Sequence, residues 1–131
     1  MADAGPLIAL CPSAQLQERG DGHRFEVEDA GQAVGAFAVR FNGQVRGFLN
    51  RCAHVAMELD WVPGQFFDLD RESLVCATHG ALYDPADGRC LGGACGGHGG
   101  LRRLDVFEAD GTVYWRPEPG LRPRADPPAS A

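Results

Sequence analysis

Two short motifs combine thiol and imidazole side chains at spacings that suit metal binding. The first is Cys52-Ala53-His54, and the second is Cys76-Ala77-Thr78-His79, which is followed by Gly80. Each motif supplies one thiolate and one imidazole, so together they offer two sulfur and two nitrogen ligands. That donor set suits zinc or an iron–sulfur centre.

The distribution of these four side chains favours a centre with two metal ions. A typical zinc finger takes two cysteines from one arm and two histidines from the other, whereas each arm here is mixed. A pair of irons accommodates mixed arms, because one iron can take both cysteines and the other both histidines. A structural zinc-binding module remains the alternative interpretation of the same residues.

The order Cys-x-His, spacer, Cys-x-x-His-Gly resembles the Rieske [2Fe–2S] domain. Further segments similar to this family are 81–84, the turn 86–88, a glycine-rich third loop at 92–101 and a terminal hairpin. The likeness covers roughly residues 8–117. It implies one [2Fe–2S] cluster per chain, with Cys52 and Cys76 on one iron and His54 and His79 on the other, outer iron.

Departures from the high-potential members of this family bear on the reduction potential. Those members carry an extra cysteine in each ligand loop, joined as a disulfide, where this chain has Met57 and Ala77 or Thr78. Their serine donor to a bridging sulfide is replaced by Ala81, while their tyrosine donor is kept as Tyr83. Histidine-ligated centres span about −150 to +300 mV, so with one donor lost we expect a potential below about 0 mV.

The cysteines and histidines outside the two motifs are predicted to have lesser roles. The third loop reads Gly92-Gly93-Ala94-Cys95 where the family usually has a Gly-Pro pair. Cys90 and Cys95 fit either ordinary thiols, the favoured interpretation, or an extra metal arm or redox pair. Cys11 is predicted to pack as a small apolar residue, and His23 to lie in a surface turn. His98 lies among glycines and carries no assigned role.

Composition and charge exclude several classes of partner. The chain has 131 residues and a net charge of −6, and all twelve of its cations are arginine. An acidic chain without a basic run argues against binding nucleic acid or anionic membranes. The apolar run at 7–11 is too short for a signal peptide or a membrane span, so we expect a cytoplasmic protein.

Alternating apolar residues and turn signals indicate antiparallel strands. Strand-like runs at 36–41 and 44–49 flank Asn42-Gly43, and runs at 104–108 and 112–116 flank Asp110-Gly111, which are hairpin signals. Another strand is expected at 24–28. The predicted fold is all-β: a Rieske-like antiparallel β-sandwich with two cluster-binding loops. Residues 1–117 would form the domain, and the proline-rich segment 118–131 an extended or frayed tail.

The resemblance implies a one-electron carrier rather than an enzyme. It points to the ferredoxin component of a multicomponent oxygenase, with a flavin reductase and a terminal oxygenase as partners. The small Rieske-like subunit of a nitrite reductase is an alternative. The spacer between the arms carries five acids, Glu58, Asp60, Asp68, Asp70 and Glu72, against Arg71. It is either a solubilising loop or a docking face for a basic redox partner.

Overall fold

A computed structural model describes residues 7–51, 58–60, 62–76, 80–93, 96 and 99–123. Its elements are β1 (Ile8–Pro12), a 3₁₀ turn (Ser13–Gln15), β2 (His23–Asp29), β3 (Gln32–Phe41), β4 (Gln44–Leu49), β5 (Leu74–Val75), β6 (Leu82–Tyr83), β7 (Cys90–Gly92), β8 (Arg103–Ala109), β9 (Thr112–Arg116) and β10 (Leu121–Pro123). All pairs between these strands are antiparallel, which confirms the predicted all-β class. Over the described ranges, no helix has the length and apolarity that crossing a membrane requires.

Seven strands form a large sheet in the order β1-β9-β8-β4-β3-β2-β10. Both predicted hairpins are present, and their turn residues have positive φ: 54° at Asn42 and 52° at Asp110, each followed by a glycine. A third hairpin joins β2 to β3 through Ala30 and Gly31, also at positive φ. Alanine rarely adopts this conformation, so this turn lacks the residue pair typical of the other two hairpins and was not predicted.

Strand β3 separates two cores because its large and small residues alternate. Phe37 and Val39 are fully buried in a cluster shared with the short strands. Ala36 and Ala38 point to the opposite side, into the clusters inside the large sheet. The strand is therefore buried on both faces over this stretch, beyond the single apolar face that the alternation predicted.

The three short strands form a second sheet in the order β5-β6-β7. Tyr83 on β6 lies between Leu74 and Cys90 in register. Phe66, from the segment that leads into this sheet, stacks on Phe37 with ring centroids 3.8 Å apart and planes 9° apart. This aromatic contact fixes the small sheet on the face of the large one.

Part of the segment predicted to be an extended or frayed tail, 118–131, is extended and forms a paired strand of the large sheet. β10 pairs with β2, and Leu121 is fully buried in the core of the large sheet. Proline is tolerated there because β10 is an edge strand, whose outer side needs no donor. The remaining residues of the predicted tail, 124–131, lie outside the described ranges.

One arginine ties three parts of the large sheet together. The Arg40 guanidinium donates to the Leu16 carbonyl at 2.6 Å, to the Ser13 carbonyl at 3.0 Å, and to both carboxylate oxygens of Glu108 at 3.0 and 2.6 Å. The hydrogen bonds from Arg40 hold the pKa of Glu108 below its usual value. This pair is a structural bond between β3 and β8 and belongs to neither ligand motif.

Candidate metal centre

The second ligand arm begins where β5 ends and closes on itself within six residues. The Cys76 amide donates to the Ala81 carbonyl at 2.9 Å, and the Gly80 amide donates to the Cys76 carbonyl at 2.7 Å. Gly80 has a φ of 76°, a conformation that glycine adopts without steric cost. Cys76 is fully buried and is not part of a disulfide. Its motif partner His79 lies outside the described residues.

The first ligand arm follows β4, and the structure describes its two ends. Asn50 and Asp60, both buried, stand on either side of it and hydrogen bond to each other at 2.9 Å. Cys52 and His54 themselves, like Met57, lie outside the described residues. Sequence analysis missed the role of Asn50 and counted Asp60 only as one acid of the spacer.

The glycine-rich third loop packs its backbone directly on the second arm. Gly93 has a φ of 76°, and a Cβ atom there would overlap the carbonyl oxygen of Gly80. The two ends of the loop are joined because the Cys90 amide donates to the Gly99 carbonyl at 2.9 Å and the Leu101 amide to the Gly88 carbonyl at 2.8 Å. Glycine is therefore required where this loop crosses the arm.

The ends of all three loops meet in one buried apolar cluster. It contains Leu59 from the first arm, Cys76 and Ala81 from the second arm, and Cys90 and Leu101 from the third loop. Segments far apart in sequence thus converge on one place, as the two-arm interpretation requires. A buried thiol in a closed loop, together with the thiolate and imidazoles of the motifs, fits the donor set of a Rieske cluster.

The two residues predicted to tune the cluster are both in this region. Ala81 is fully buried and immediately precedes β6, and Tyr83 is fully buried within it. An alanine at position 81 offers no side-chain donor, whereas a phenol at position 83 does. The hydrogen bond from Tyr83 toward the cluster stays a prediction.

Two secondary assignments from the sequence need correction. Cys90 is disulfide-bonded, so the interpretation as an ordinary thiol fails for it; its partner lies outside the described residues, as do Cys95 and His98. His23 is the first residue of β2, half-buried and stacked on Phe25, and burial lowers its pKa. Cys11 packs as predicted: it is buried in the large sheet, and burial raises the pKa of its thiol.

The acids of the spacer do not form one exposed face. The Asp60 carboxylate is fully buried and is paired with Arg24 at 3.2 Å. The Asp68 carboxylate accepts from the Glu72 and Ser73 amides at 3.1 and 3.3 Å and so shapes a turn. Two of the five counted charges therefore serve the local structure, which weakens the interpretation of this segment as a docking face.

Comparison with known proteins identifies the family. The model of the Rieske [2Fe–2S] domain matches residues 7–108. No protein of curated function matches the chain.

Solved structures share the fold at low sequence identity. The ferredoxin of carbazole 1,9a-dioxygenase from Nocardioides aromaticivorans matches with a TM-score of 0.66 and 21% identity, over 87% of this chain and all of that one. A chain of a carbazole 1,9a-dioxygenase oxygenase–ferredoxin complex matches with a TM-score of 0.65 and 20% identity, over 94% of this chain. A 2-oxoquinoline 8-monooxygenase component matches with a TM-score of 0.63 and 19% identity, over 92% of this chain.

The present chain spans 30% of the length of the matched chain in that oxygenase–ferredoxin complex and 27% of the monooxygenase component, but the full length of the ferredoxin. The family model covers well over half of the residues, including both ligand motifs. The chain belongs to the Rieske [2Fe–2S] domain family, whose domain holds one [2Fe–2S] cluster.

Proposed function

We propose that this protein is a one-electron carrier, the ferredoxin component of a multicomponent oxygenase. The observation that carries the proposal is the convergence of Leu59, Cys76, Ala81, Cys90 and Leu101, which brings the ends of three loops into one buried cluster. The chain also spans the whole of a dioxygenase ferredoxin, whereas it spans less than a third of the longer chain that it matches in an oxygenase–ferredoxin complex. A carrier needs no more than the cluster domain.

We assign the four ligands by the two motifs. Cys52 and Cys76 would bind one iron, and His54 and His79 the other. The cluster supplies reversible one-electron chemistry. Cys76 is fully buried, and backbone hydrogen bonds between Cys76, Gly80 and Ala81 close the loop that carries it. The backbone of Gly93 packs against Gly80 of the same arm.

We infer that the partners are a flavin reductase that supplies the electron and a terminal oxygenase that accepts it, in the cytoplasm. The named complexes of oxygenase and ferredoxin among the structural matches support the second partner. In this assignment the chain binds no substrate and catalyses no reaction of its own.

Anaerobic purification with analysis of iron, zinc and acid-labile sulfide tests the cluster, and low-temperature EPR of the dithionite-reduced protein tests its type. We expect two irons and two sulfides per chain and a Rieske-type signal. Stoichiometric zinc without sulfide would instead show that the protein is a structural zinc-binding module.

The role as a carrier is tested by an assay in which a flavin reductase delivers electrons to a purified Rieske oxygenase. We expect this delivery to depend on the present protein. A cluster-loaded protein that is never reduced by such reductases would contradict that role.

A further inference from the structure

The described residues include two buried polar side chains, and both stand at the ends of the first ligand arm. Asn50 is 2% exposed and Asp60 is 8% exposed. Asn50 follows the last residue of β4, and Asp60 begins the segment that leads toward the small sheet. The nine residues between them include Cys52 and His54.

The Asn50 side chain holds the end of this arm with both of its polar atoms. Its Oδ1 accepts from the Leu59 amide at 2.8 Å, and its Nδ2 donates to Oδ1 of Asp60 at 2.9 Å. The Asn50 backbone amide donates to the Gly35 carbonyl at 2.8 Å, which fixes the start of the arm to β3. One residue therefore joins the two ends of the arm to each other and to the sheet.

Asp60 joins the end of the first arm to Arg24 of β2 and to Gly64 of the spacer. Its Oδ2 accepts from the Gly64 amide at 2.9 Å and contacts Nε of Arg24 at 3.2 Å. Arg24 also donates to Glu58 at 3.3 Å, and a Cβ on Gly35 would collide with the Glu58 carboxylate. The arm is thus held at its ends by directed polar bonds to two strands.

A buried carboxylate is costly unless its oxygens are satisfied, and apolar residues of similar size would give comparable stability. What apolar contacts lack is direction, because hydrogen bonds fix the orientation of the groups they join. Outer residues that orient metal ligands typically alter metal affinity 10–100-fold when they are changed.

We propose that Asn50 and Asp60 form a positioning clasp: they fix the two ends of the first arm, so that the ligands assigned to that arm, Cys52 and His54, can bind the cluster together with Cys76. The clasp residues touch neither iron nor sulfide; they act through the arm. This inference rests on the ligand assignment proposed above.

The test exchanges the two side chains. Asn50→Asp places two carboxylates against each other and loses the central hydrogen bond. In Asp60→Asn, one carbonyl oxygen cannot replace both carboxylate oxygens, so that variant loses either the hydrogen bond with Asn50 or the contacts with Gly64 and Arg24. The double variant Asn50→Asp/Asp60→Asn restores it with reversed polarity, because the amide at position 60 can donate to the carboxylate at position 50. Its carbonyl oxygen still accepts from Gly64 and Arg24, and the net charge equals that of the natural protein.

The readouts are the rate at which the folded holoprotein loses iron to a ferrous chelator and the EPR g values of the reduced protein. We expect each single variant to lose iron about 10–100-fold faster, with shifted g values. The double variant should return to within about threefold of the natural rate. Glu108→Gln is the matched control, since it weakens the fold at a bond outside the arms and should leave the g values unchanged.

Far-UV circular dichroism and urea unfolding of each variant establish that the large sheet is intact. If Asn50→Asp does not fold, Asp60→Asn and the double variant carry the test. Folded single variants with natural iron-loss rates, or a folded double variant without rescue, would overturn the clasp while the cluster of the natural protein still stood. A natural protein without labile sulfide would overturn the proposed ligand set and the clasp together.

Discussion

The large sheet and the end of the molecule that bears the ligand arms are stabilised by different means. The large sheet relies on hairpins of local sequence and on its own apolar cluster, which includes the buried side chains of Val27, Trp115 and Leu121. The arm-bearing end has strands of only two or three residues and relies on a polar pair, glycine backbone contacts and a bound cluster. A change at one end should therefore leave the other largely intact.

The largest effect is expected from removing a ligand. Cys76→Ala should abolish cluster incorporation, because the thiolate of the second arm is lost, while the large sheet remains folded. Iron and sulfide analysis with far-UV circular dichroism measures both results. Cys11→Ala is the matched control, since this free thiol is buried in the large sheet. Full iron content in Cys76→Ala would refute the ligand assignment.

A smaller but still local effect is expected at the third loop. Gly93→Ala combines the cost of a positive φ, about 1–2 kcal/mol, with a collision against the Gly80 carbonyl that forces the loop away. We expect faster iron loss and a lower unfolding temperature. Gly31→Ala has a similar φ of 87° with nothing within 4 Å, so it should show the conformational cost alone. Equal iron-loss rates in the two variants would contradict a covering role for Gly93.

A change in the large sheet should, conversely, lower the stability of the fold and leave the cluster unchanged. Glu108→Gln removes the ion pair with Arg40 and should lower the unfolding free energy by about 1 kcal/mol at pH 7. Because the folded-state pKa of Glu108 is lowered, this contribution is present above the ordinary glutamate pKa, near 4.5, and is lost as the pH falls through the folded-state value. Urea unfolding between pH 3.5 and 7 should show the two proteins converging at low pH. A constant difference would contradict the assignment.

The smallest effect on structure is expected at Ala81. A serine at this position would supply the hydroxyl donor that the high-potential members of the family carry. Ala81→Ser should raise the midpoint potential from a natural value below about 0 mV, because it adds a buried donor beside the second arm. Protein-film or optical redox titration measures the change, and Ala36→Ser in the large sheet is the control. A natural potential of about +200 mV or more, or a fall in Ala81→Ser, would contradict this account.

Local signals predicted the large sheet well and the arm-bearing end only in part. Asn42-Gly43 and Asp110-Gly111 predicted two hairpins, because the conformation of a two-residue turn depends mainly on the two residues in the turn. The ligand motifs were also visible, since the spacing within each is local. The Asn50–Asp60 pair could not be predicted, because its meaning arises only when residues ten positions apart are both buried. The burial of Leu121 was missed for a similar reason, since proline-rich composition outweighed one apolar residue.

The sequential meander from β2 to β4 has a consequence for the order of folding. Its three strands are joined by two-residue turns, so their contacts close short loops, which favours early formation. The small sheet and the segment leading into it, from Phe66 onward, pack on Phe37 and Val39 of β3. The small sheet therefore needs β3 to be formed first. We therefore expect the meander to acquire protected amides first in pulse-labelling experiments on refolding apoprotein, so that a cluster-assembly machinery would meet a preformed platform rather than an unfolded polypeptide.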